Sequence, residues 1–534
     1  MKTFEADVVI VGSGVAGALS AYKLAKKGIK VLVLEAGPRI KRQDIVSSFQ
    51  ETHKLDFSSG FPNEDWAPRP DWGTADGDSY IKQTGPTKAR MEYLRVVGGT
   101  TWHWSANSIR LMPVEFKMKS TYGIGTDWPI DYDTIEPYYV EAEHEMGVAG
   151  DSDADYNMPR SKGFPLPALP SSYLENTVIS ELEEKSELRF ISRTIARNSR
   201  PYQGRTQCKG FGTCSPICPS GAQYSAIVHV EKAEQHGAEI LENMLVDRVT
   251  RDDYYNITGV EGRHPKHGRF KAKGKIVILA ANGIETPKLL MMSKTETEPN
   301  GMASSSGRLG RYFMGHPGIY CRFLMPKPVY PGRGPHALMQ CLTQRDGDFR
   351  KERGSWTMSI YNELRLHDIA NDLLREGVVP PKLDEMIKDR ALRQTSVNFQ
   401  IEQKPVYDNG ITLDWDDLDS SGQPRIQLHY GFSDYETKAF KEAEKEARRI
   451  VGLLGGEVTS VSDPTFHHHF MGMTMMGNNP KTSVTDQYGQ THDYRNLFVT
   501  SSSLFPTGGT ANPTLTIAAL ALRTADYIAK QLGK

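Results

Sequence analysis

The chain has few cysteines, little net charge and no long hydrophobic run. Its 534 residues include five cysteines, and 64 basic residues nearly balance 65 acidic ones. This balance excludes a general electrostatic attraction to nucleic acid or to an anionic membrane. No apolar run approaches the roughly 18 residues of a membrane-spanning helix. With 38% hydrophobic residues, the chain can bury large cores, and its length suits about three to four average domains.

The N-terminus leaves no room for a cleavable export signal. Residues 1–7 lead directly into a predicted strand, whereas a signal peptide needs an apolar core of its own. We therefore expect export to depend on a partner subunit, which would make the protein periplasmic or membrane-associated. A cytoplasmic location is the alternative.

Three of the five cysteines lie within eleven residues. Cys208, Cys214 and Cys218 have the spacing C-x5-C-x3-C, and Pro219 follows the last of them. Thiolates this close in sequence suit a soft metal centre, and proline after the last ligand recurs in ferredoxin-type cluster motifs. The odd count argues against a disulfide framework, and no nearby residue offers a fourth ligand at zinc-like spacing. The loop is predicted to hold an iron–sulfur cluster with three irons; zinc or plain buried cysteines are the alternatives.

A second motif lies at the start of the chain. An apolar run precedes Gly12, Gly14 and Gly17, and a second apolar run, residues 31–34, ends at Glu35. A strand, spaced glycines, a helix, a strand and an acid in this order are typical of dinucleotide binding. Gly12 would make the tight turn, Gly14 would admit the pyrophosphate to the helix N-terminus, and Gly17 would allow close packing. Glu35 is predicted to bind ribose hydroxyls, and because no arginine replaces this acid, FAD is favoured over NADP.

The distribution of patterns predicts a mixed α/β and α+β protein. It would combine a Rossmann-like FAD-binding domain with a substrate domain of mixed sheets and helices. Residues 40–90 are predicted to form a long loop segment, and a charged pattern predicts a helix over Lys382–Arg393. The predicted divisions are a discontinuous FAD-binding domain of residues 1–40, 85–150, 225–320 and 478–534, a cluster loop of residues 195–224, and a substrate domain of residues 151–194 and 321–477.

Further segments resemble the glucose–methanol–choline (GMC) oxidoreductases along nearly the whole chain. Residues 97–104 look like the loop of that family that contacts flavin, and residues 281–290 and 310–317 resemble its second signature and the turn after it. Residues 505–517 resemble the entry to its C-terminal flavin-binding helix. The cysteine motif narrows the resemblance to the catalytic large subunits of bacterial FAD-dependent sugar dehydrogenase complexes, the group of gluconate 2-dehydrogenase, fructose dehydrogenase and FAD-glucose dehydrogenase.

This resemblance implies a set of cofactors and partners. They are FAD, a three-iron–four-sulfur (3Fe-4S) cluster on the three cysteines, a small chaperone-like subunit, and a cytochrome c subunit or another electron acceptor. Pyranose oxidase, a member of the family, carries a covalent histidyl–flavin bond in a similar loop, so His103 is a candidate for such a bond; a core histidine in an aromatic cluster is the alternative. The flavin-contacting positions implied by the resemblance are Gly98, Gly99, Thr100, His103, Ala281, Asn512, Pro513 and Thr514.

Oxidation of an alcohol needs a base for the hydroxyl proton and an acceptor for the hydride. Alignment on residues 472–477 places His469 at the catalytic-histidine position of the family and Asn512 at its partner position. Because asparagine is not a base at neutral pH, we expect His469 to take the proton while Asn512 holds the hydroxyl.

Three further residues surround this candidate base. If the segment is extended, His467 and His469 point to one side and His468 to the other. His468 is expected to tune substrate choice. Glu402 is expected to hydrogen-bond His469 without touching the substrate; an exposed carboxylate on a strand is the alternative. Alternatively, the three histidines are polar residues satisfied by their surroundings or form a fortuitous metal patch.

Several functions are compatible with these motifs. The first is a dehydrogenase that oxidises a hydroxyl of a sugar or sugar acid and passes electrons through the cluster to an external acceptor. A GMC sugar oxidase that uses dioxygen, a glucoside 3-dehydrogenase and a non-catalytic electron-transfer subunit are the alternatives. The cysteine motif favours a dehydrogenase over an oxidase, because an oxidase needs no outgoing electron path. The pair of His469 and Asn512 argues against a non-catalytic subunit.

Overall fold

The computed structural model describes residues 1–52, 60–70, 80–466 and 468–534. Two large sheets and the helices packed on them make up most of the fold. In these ranges the α-helices are α1 (Val15–Lys26), α2 (Arg42–Glu51), α3 (Met118–Tyr122), α4 (Tyr132–Met146), α5 (Tyr173–Lys185), α6 (Ile227–Gln235), α7 (Asn282–Met292), α8 (Leu366–Arg375), α9 (Lys382–Arg393), α10 (Asp434–Leu453) and α11 (Thr514–Gln531).

The strands alternate with these helices along the chain. They are β1 (Lys2–Val11), β2 (Val31–Leu34), β3 (Ile81–Gln83), β4 (Ala149–Gly150), β5 (Leu166–Pro167), β6 (Phe190–Ser192), β7 (Glu239–Leu241), β8 (Leu245–Arg251), β9 (Ile257–His264), β10 (Gly268–Leu279), β11 (Pro317–Leu324), β12 (Met339–Cys341), β13 (Trp356–Tyr361), β14 (Gln394–Ile401), β15 (Gly410–Leu418), β16 (Pro424–His429), β17 (Glu457–Val461), β18 (Thr465–Phe466) and β19 (Leu497–Val499).

The first large sheet has the order β7-β2-β1-β10-β9-β8, and β19 pairs with β10. Strands β7, β2, β1, β10 and β19 run parallel, whereas β9 and β8 extend the sheet in antiparallel fashion. The buried apolar residues of β1 and β2 pack against α1 and α11. Because ligands bind beyond the carboxyl ends of parallel strands in such sheets, the ends of β1, β2 and β10 position a cofactor site.

The second large sheet is antiparallel and has the order β17-β11-β14-β13-β12-β6, with β18 added to β11. One face packs against α5 and α10 in a continuous apolar core. Ser433 and Glu436 form a reciprocal capping box that starts α10. Side chains alternate along a strand, so the opposite face carries the polar residues of β13 and β14.

Two features test the organisation predicted from sequence. The mixed α/β and α+β architecture is confirmed, and α9 spans Lys382–Arg393 as the charge pattern predicts. The prediction of one long loop over residues 40–90 is wrong at Arg42–Glu51, which form α2 and bury Ile45. Residues 53–59 and 71–79 of that loop lie outside the described residues. In the described ranges, no helix combines the length and apolarity needed to cross a bilayer.

Candidate active site

The turn between β1 and α1 leaves room for a ligand at one glycine. Gly12 has φ +100°, and a side chain there would meet the Ala280 carbonyl oxygen at 2.6 Å. A Cβ atom at Gly17 would lie 1.9 Å from the Gly12 carbonyl oxygen, so helix and turn pack too closely for any side chain. At Gly14, the residue before α1, no described atom lies within 4 Å of a Cβ position. The helix N-terminus is therefore open to an anionic group such as a pyrophosphate.

Glu35 lies at the carboxyl end of β2, beside this turn. Its Oε2 accepts hydrogen bonds from Ser13 N at 3.0 Å and Ser13 Oγ at 2.7 Å, and its Oε1 accepts one from Gly37 N at 3.0 Å. Burial raises the pKa of this carboxyl, although these hydrogen bonds oppose the rise. Glu35 also lines a cavity that begins at Gly14, as ribose binding would require. The other walls of this cavity include Gly12, Gly99, Thr100, Met244, Val246, Ala280 and Ala281.

A second glycine loop approaches the first one. Gly98 and Gly99 have φ +94° and +58°, and Gly98 N donates to Ser13 Oγ at 3.1 Å. A Cβ atom at Gly99 would lie 3.0 Å from the Gly14 Cα atom. Two glycine-containing loops thus face one another at the N-terminus of α1. This cradle fits FAD, whose pyrophosphate and flavin need close backbone approach.

His103 follows the short 3₁₀-helix Gly99–Trp102 and is buried. Its Nδ1 lies 4.0 Å from Glu92 Oε1, and its ring packs edge-on against Phe61 with centroids 5.9 Å apart. The aromatic contact supports the alternative that His103 is a core histidine. Its position beside the glycine loop supports the hypothesis that it contacts the flavin. The covalent bond stays a prediction.

His469 and Asn512 lie next to each other, 43 residues apart in sequence. Asn512 Nδ2 is 3.2 Å from His469 Nε2. On the other side of the imidazole, His469 Nδ1 is 2.7 Å from His316 Nδ1, and His316 Nε2 donates to the Gly509 carbonyl oxygen at 2.9 Å. A chain of hydrogen bonds therefore runs from the Gly509 carbonyl through two imidazoles to the Asn512 amide.

The hydrogen-bond partners assign the tautomers in this chain. A carbonyl oxygen only accepts, so His316 Nε2 carries a proton. Burial lowers the pKa of His316 to about 4, so this ring is neutral near pH 7 and its Nδ1 is an acceptor. His469 Nδ1 must then be the donor between the two rings, which leaves His469 Nε2 unprotonated. That nitrogen carries the lone pair that a general base needs.

Asn512 is oriented by two other amides. Its Oδ1 accepts from Asn107 Nδ2 at 2.7 Å and from Gln400 Nε2 at 3.4 Å, so its Nδ2 donor faces His469 Nε2. A base and a hydrogen-bond donor thus point at one position, the arrangement required to bind and deprotonate a hydroxyl group. Pro513 and Thr514 follow directly, and the N-terminus of α11 begins there without a side-chain cap.

The other residues predicted around the base are placed differently. Strand β18 ends at Phe466, and His468 has φ +48°, so the alternation expected for an extended segment fails at His468; His467 lies outside the described residues. Glu402 binds Arg350 at 2.6 Å, Ser355 and Tyr435 instead of His469. Burial would raise the pKa of Glu402, but Arg350 outweighs it and holds this pKa below its usual value.

Sequence reasoning missed three residues that complete the site: His316, Asn107 and Gln400. His316 lies in the turn of residues 310–317, whose resemblance to the family was a usable signal. Asn107 and Gln400 gave no such signal, because only the fold brings them to Asn512.

The cysteine loop is attached to the segment that carries His103. Ser215 Oγ donates to the His103 carbonyl oxygen at 2.9 Å, and Gln223 Nε2 donates to the carbonyl oxygens of Trp104 and Cys214. These hydrogen bonds hold the cysteine loop against residues 103 and 104.

The donor set of this loop fits an anionic cluster. Burial raises the pKa of Cys214, whereas hydrogen bonds and the nearby Arg42 and Arg197 overcome burial at Cys218 and lower its pKa. Arg197 Nε and Nη1 are buried and have no hydrogen-bond partner in the described part of the chain. Within that part, no three Cys, His, Asp or Glu side chains converge as a single-ion site.

The open glycine cradle and the histidine–asparagine pair together define an FAD-dependent oxidoreductase. Family models agree: one for FAD-dependent oxidoreductases matches residues 7–44, and two for GMC oxidoreductases match residues 182–318 and 405–521. The chain belongs to the GMC oxidoreductase family, which confirms the resemblance seen in its sequence motifs.

Named relatives match over almost the full length. The chain is 37% identical to the fructose dehydrogenase large subunit of Gluconobacter japonicus, over 99% of each chain. It is 29% identical to 2-methyl-1,2-propanediol dehydrogenase of Mycolicibacterium austroafricanum, over 99% of this chain and 96% of that protein. It is 23% identical to the gluconate 2-dehydrogenase flavoprotein of Pantoea cypripedii, over 99% and 94%.

Solved structures show the same fold. Pyridoxine 4-oxidase from Mesorbium loti superposes with a TM-score of 0.65 at 18% identity, covering 98% of this chain and 99% of that chain. At this identity the likeness concerns the fold and not the substrate.

Proposed function

We propose that the chain is the catalytic subunit of a dehydrogenase that oxidises a hydroxyl group of a sugar or sugar acid. The observation that carries this proposal is the hydrogen-bonded chain of His316, His469 and Asn512. The relationship to fructose dehydrogenase and gluconate 2-dehydrogenase subunits supports the substrate class.

His469 is the proposed base and acts at Nε2. The substrate hydroxyl would contact both this nitrogen and Asn512 Nδ2 in place of the hydrogen bond that now joins them, with the amide holding the oxygen while the imidazole takes the proton. His316 keeps His469 in the required tautomer and accepts the hydrogen bond from its Nδ1–H throughout, because burial keeps His316 neutral. When bound, FAD would supply the acceptor for the hydride that leaves the carbon bearing this hydroxyl. Asn107 and Gln400 keep the Asn512 amide from rotating.

Electrons are proposed to leave through the cysteine loop. A 3Fe-4S cluster on Cys208, Cys214 and Cys218, when bound, supplies a one-electron acceptor. The hydrogen bonds of Ser215 and Gln223 to residues 103–104 support the route, because that segment is the one expected to contact the flavin. A small chaperone-like subunit and an acceptor such as cytochrome c are the proposed partners, in keeping with a relative named as a large subunit.

Two assays on the purified chain with its small subunit test this function. In a dye-linked screen, sugars or sugar acids should reduce the dye, and Asn107→Ala should slow the reaction. Iron and acid-labile sulfide should be present at about three irons per chain. Zinc without sulfide would refute the cluster. Iron that separates with another subunit would show that the cluster is bound by that subunit and not by this chain. Dye reduction by small diols but by no sugar or sugar acid would refute the substrate class.

A further inference from the structure

Beside the catalytic pair, the second sheet presents a polar surface. Val397 and Phe399 of β14 point into the core under α10. Because side chains alternate, Asn398 and Gln400 point to the opposite face. Gln400 shows that this face is turned toward the catalytic pair, because its Nε2 donates to the Thr510 carbonyl oxygen at 2.8 Å and to Asn512 Oδ1 at 3.4 Å. The polar face therefore extends from the catalytic pair along β14.

Arg193 reaches onto this face from the end of β6. Its Nη2 donates to Ser359 Oγ, and Ser359 lies opposite Asn398 in the register of β13 and β14. The Tyr361 hydroxyl is a second, neutral hydrogen-bond partner of the guanidinium. The Nε atom of Arg193 is buried without a hydrogen-bond partner, and among the described residues no Asp or Glu forms an ion pair with this side chain. A partly desolvated guanidinium without a counter-charge is costly, and a carboxylate is its best-matched partner.

Further buried polar atoms around Arg193 lack partners. Asn398 and Gln340 are 4% and 2% exposed, yet their amide nitrogens make no hydrogen bond to any described residue. Gln340 lies on β12 opposite Ile191 of β6. Arg193 follows Ile191 by two residues, so the side chains of Gln340 and Arg193 lie on the same face of the sheet. Native folds rarely leave so many polar atoms unsatisfied in one place unless a ligand or water completes them.

We propose that Arg193 binds the carboxylate of the substrate, and that Asn398 and Gln340 donate to its hydroxyl groups. The inference rests on the proposed function and narrows it: the substrate is a polyhydroxy acid and not a neutral sugar. Ser359, the hydrogen-bond partner of the guanidinium, is the diagonal neighbour of Gln400, and such neighbours lie about 7–8 Å apart along the sheet. The extended chain of a hexonic acid spans this separation between carboxylate and oxidised hydroxyl, whereas a three-carbon hydroxy acid is too short.

Two measurements on the FAD-loaded protein test the subsite. The first is the thermal shift of the oxidised protein with gluconate and with glucitol, its uncharged counterpart. Gluconate should stabilise the protein at concentrations where glucitol has no effect, and Arg193→Gln should abolish the difference. The second is stopped-flow reduction of the flavin, in which Arg193→Gln should raise the Kd for gluconate about 10- to 100-fold and leave the limiting rate within about threefold.

Matched variants separate charge from structure. Arg193→Lys keeps the charge and should retain part of the affinity, and Asn398→Asp places a carboxylate beside Arg193 and should weaken gluconate binding. Arg200→Gln removes an exposed arginine of the same segment and should behave as the wild type. Equal stabilisation by gluconate and glucitol, or equal loss for both in Arg193→Gln, would overturn the subsite and leave ordered water as the partner of these atoms.

The outcomes also separate this inference from the proposed function. If neutral sugars reduce the flavin and Arg193→Gln leaves their Kd unchanged while acids fail to bind, the function stands and the subsite is wrong. If gluconate binds in an Arg193-dependent manner but no sugar or sugar acid reduces the flavin, the subsite stands and the function is wrong.

Discussion

His316 offers a specific test of how the base is held. The variant His316→Leu removes the acceptor that faces His469 Nδ1 at 2.7 Å and the donor to the Gly509 carbonyl. When His469 takes the substrate proton, its Nδ1–H becomes a charged donor, and a hydrogen bond to a charged group is worth about 1.5–3 kcal/mol. The limiting rate of flavin reduction should therefore fall about 10- to 150-fold.

The matched variant is His316→Gln, because its side-chain oxygen can accept from His469 while its amide donates to Gly509. Stopped-flow reduction under anaerobic conditions, measured across pH, should show partial rescue in His316→Gln and none in His316→Leu. The Kd for substrate should change little in either variant, since His316 does not face the substrate. Equal rates in the leucine variant and the wild type would refute the assigned tautomer, and equal loss in both variants would indicate a purely structural role.

The remaining predictions concern electron exit, the flavin bond and acid stability. In Cys214→Ser, reduction of the flavin by substrate should persist while turnover with cytochrome c collapses; equal loss of both steps would make the loop structural. Acid precipitation of the wild type should leave flavin on the chain and His103→Ala should release it, whereas a yellow supernatant from the wild type would refute the covalent bond. Burial lowers the pKa of His316 from 6.5 to about 4, so the unfolded chain binds its proton more readily, and folding stability should fall by about 3 kcal/mol as the pH drops from 7 to 4. The melting temperature of His316→Gln should depend less on pH across that range, and an unchanged slope would contradict the assignment.

The sequence allowed local elements with strong patterns to be predicted. The glycine turn and the helix over Lys382–Arg393 depend on neighbouring residues, so their geometry follows from sequence. Helix α2 was missed because the Pro-, Gly- and Trp-rich residues after it dominated the composition of that segment. The predicted side-chain alternation failed at His468, because its left-handed backbone ends the extended conformation on which that alternation depends.

The contacts of the site depend on residues distant in sequence. His316 lies 153 residues from His469, and Asn107 lies 405 residues from Asn512. Glu402 was expected to hydrogen-bond His469, but the fold places Arg350 against its carboxylate. Periodicity and spacing carry no information on such pairs, whereas the family resemblance did identify His469 and Asn512 together.

The most direct test of the central claim is the pH dependence of flavin reduction in His469→Ala and Asn512→Ala. The wild-type rate should rise with pH through one ionisation that belongs to the imidazole or to a group coupled to it. His469→Ala should lower the limiting rate about 100-fold or more and lose this rise, while Asn512→Ala should be slower but keep it, because only alignment is lost. His468→Asn should change sugar preference more than the limiting rate. If His468→Ala abolishes reduction and His469→Ala retains both the rate and the pH dependence, His469 is not the base.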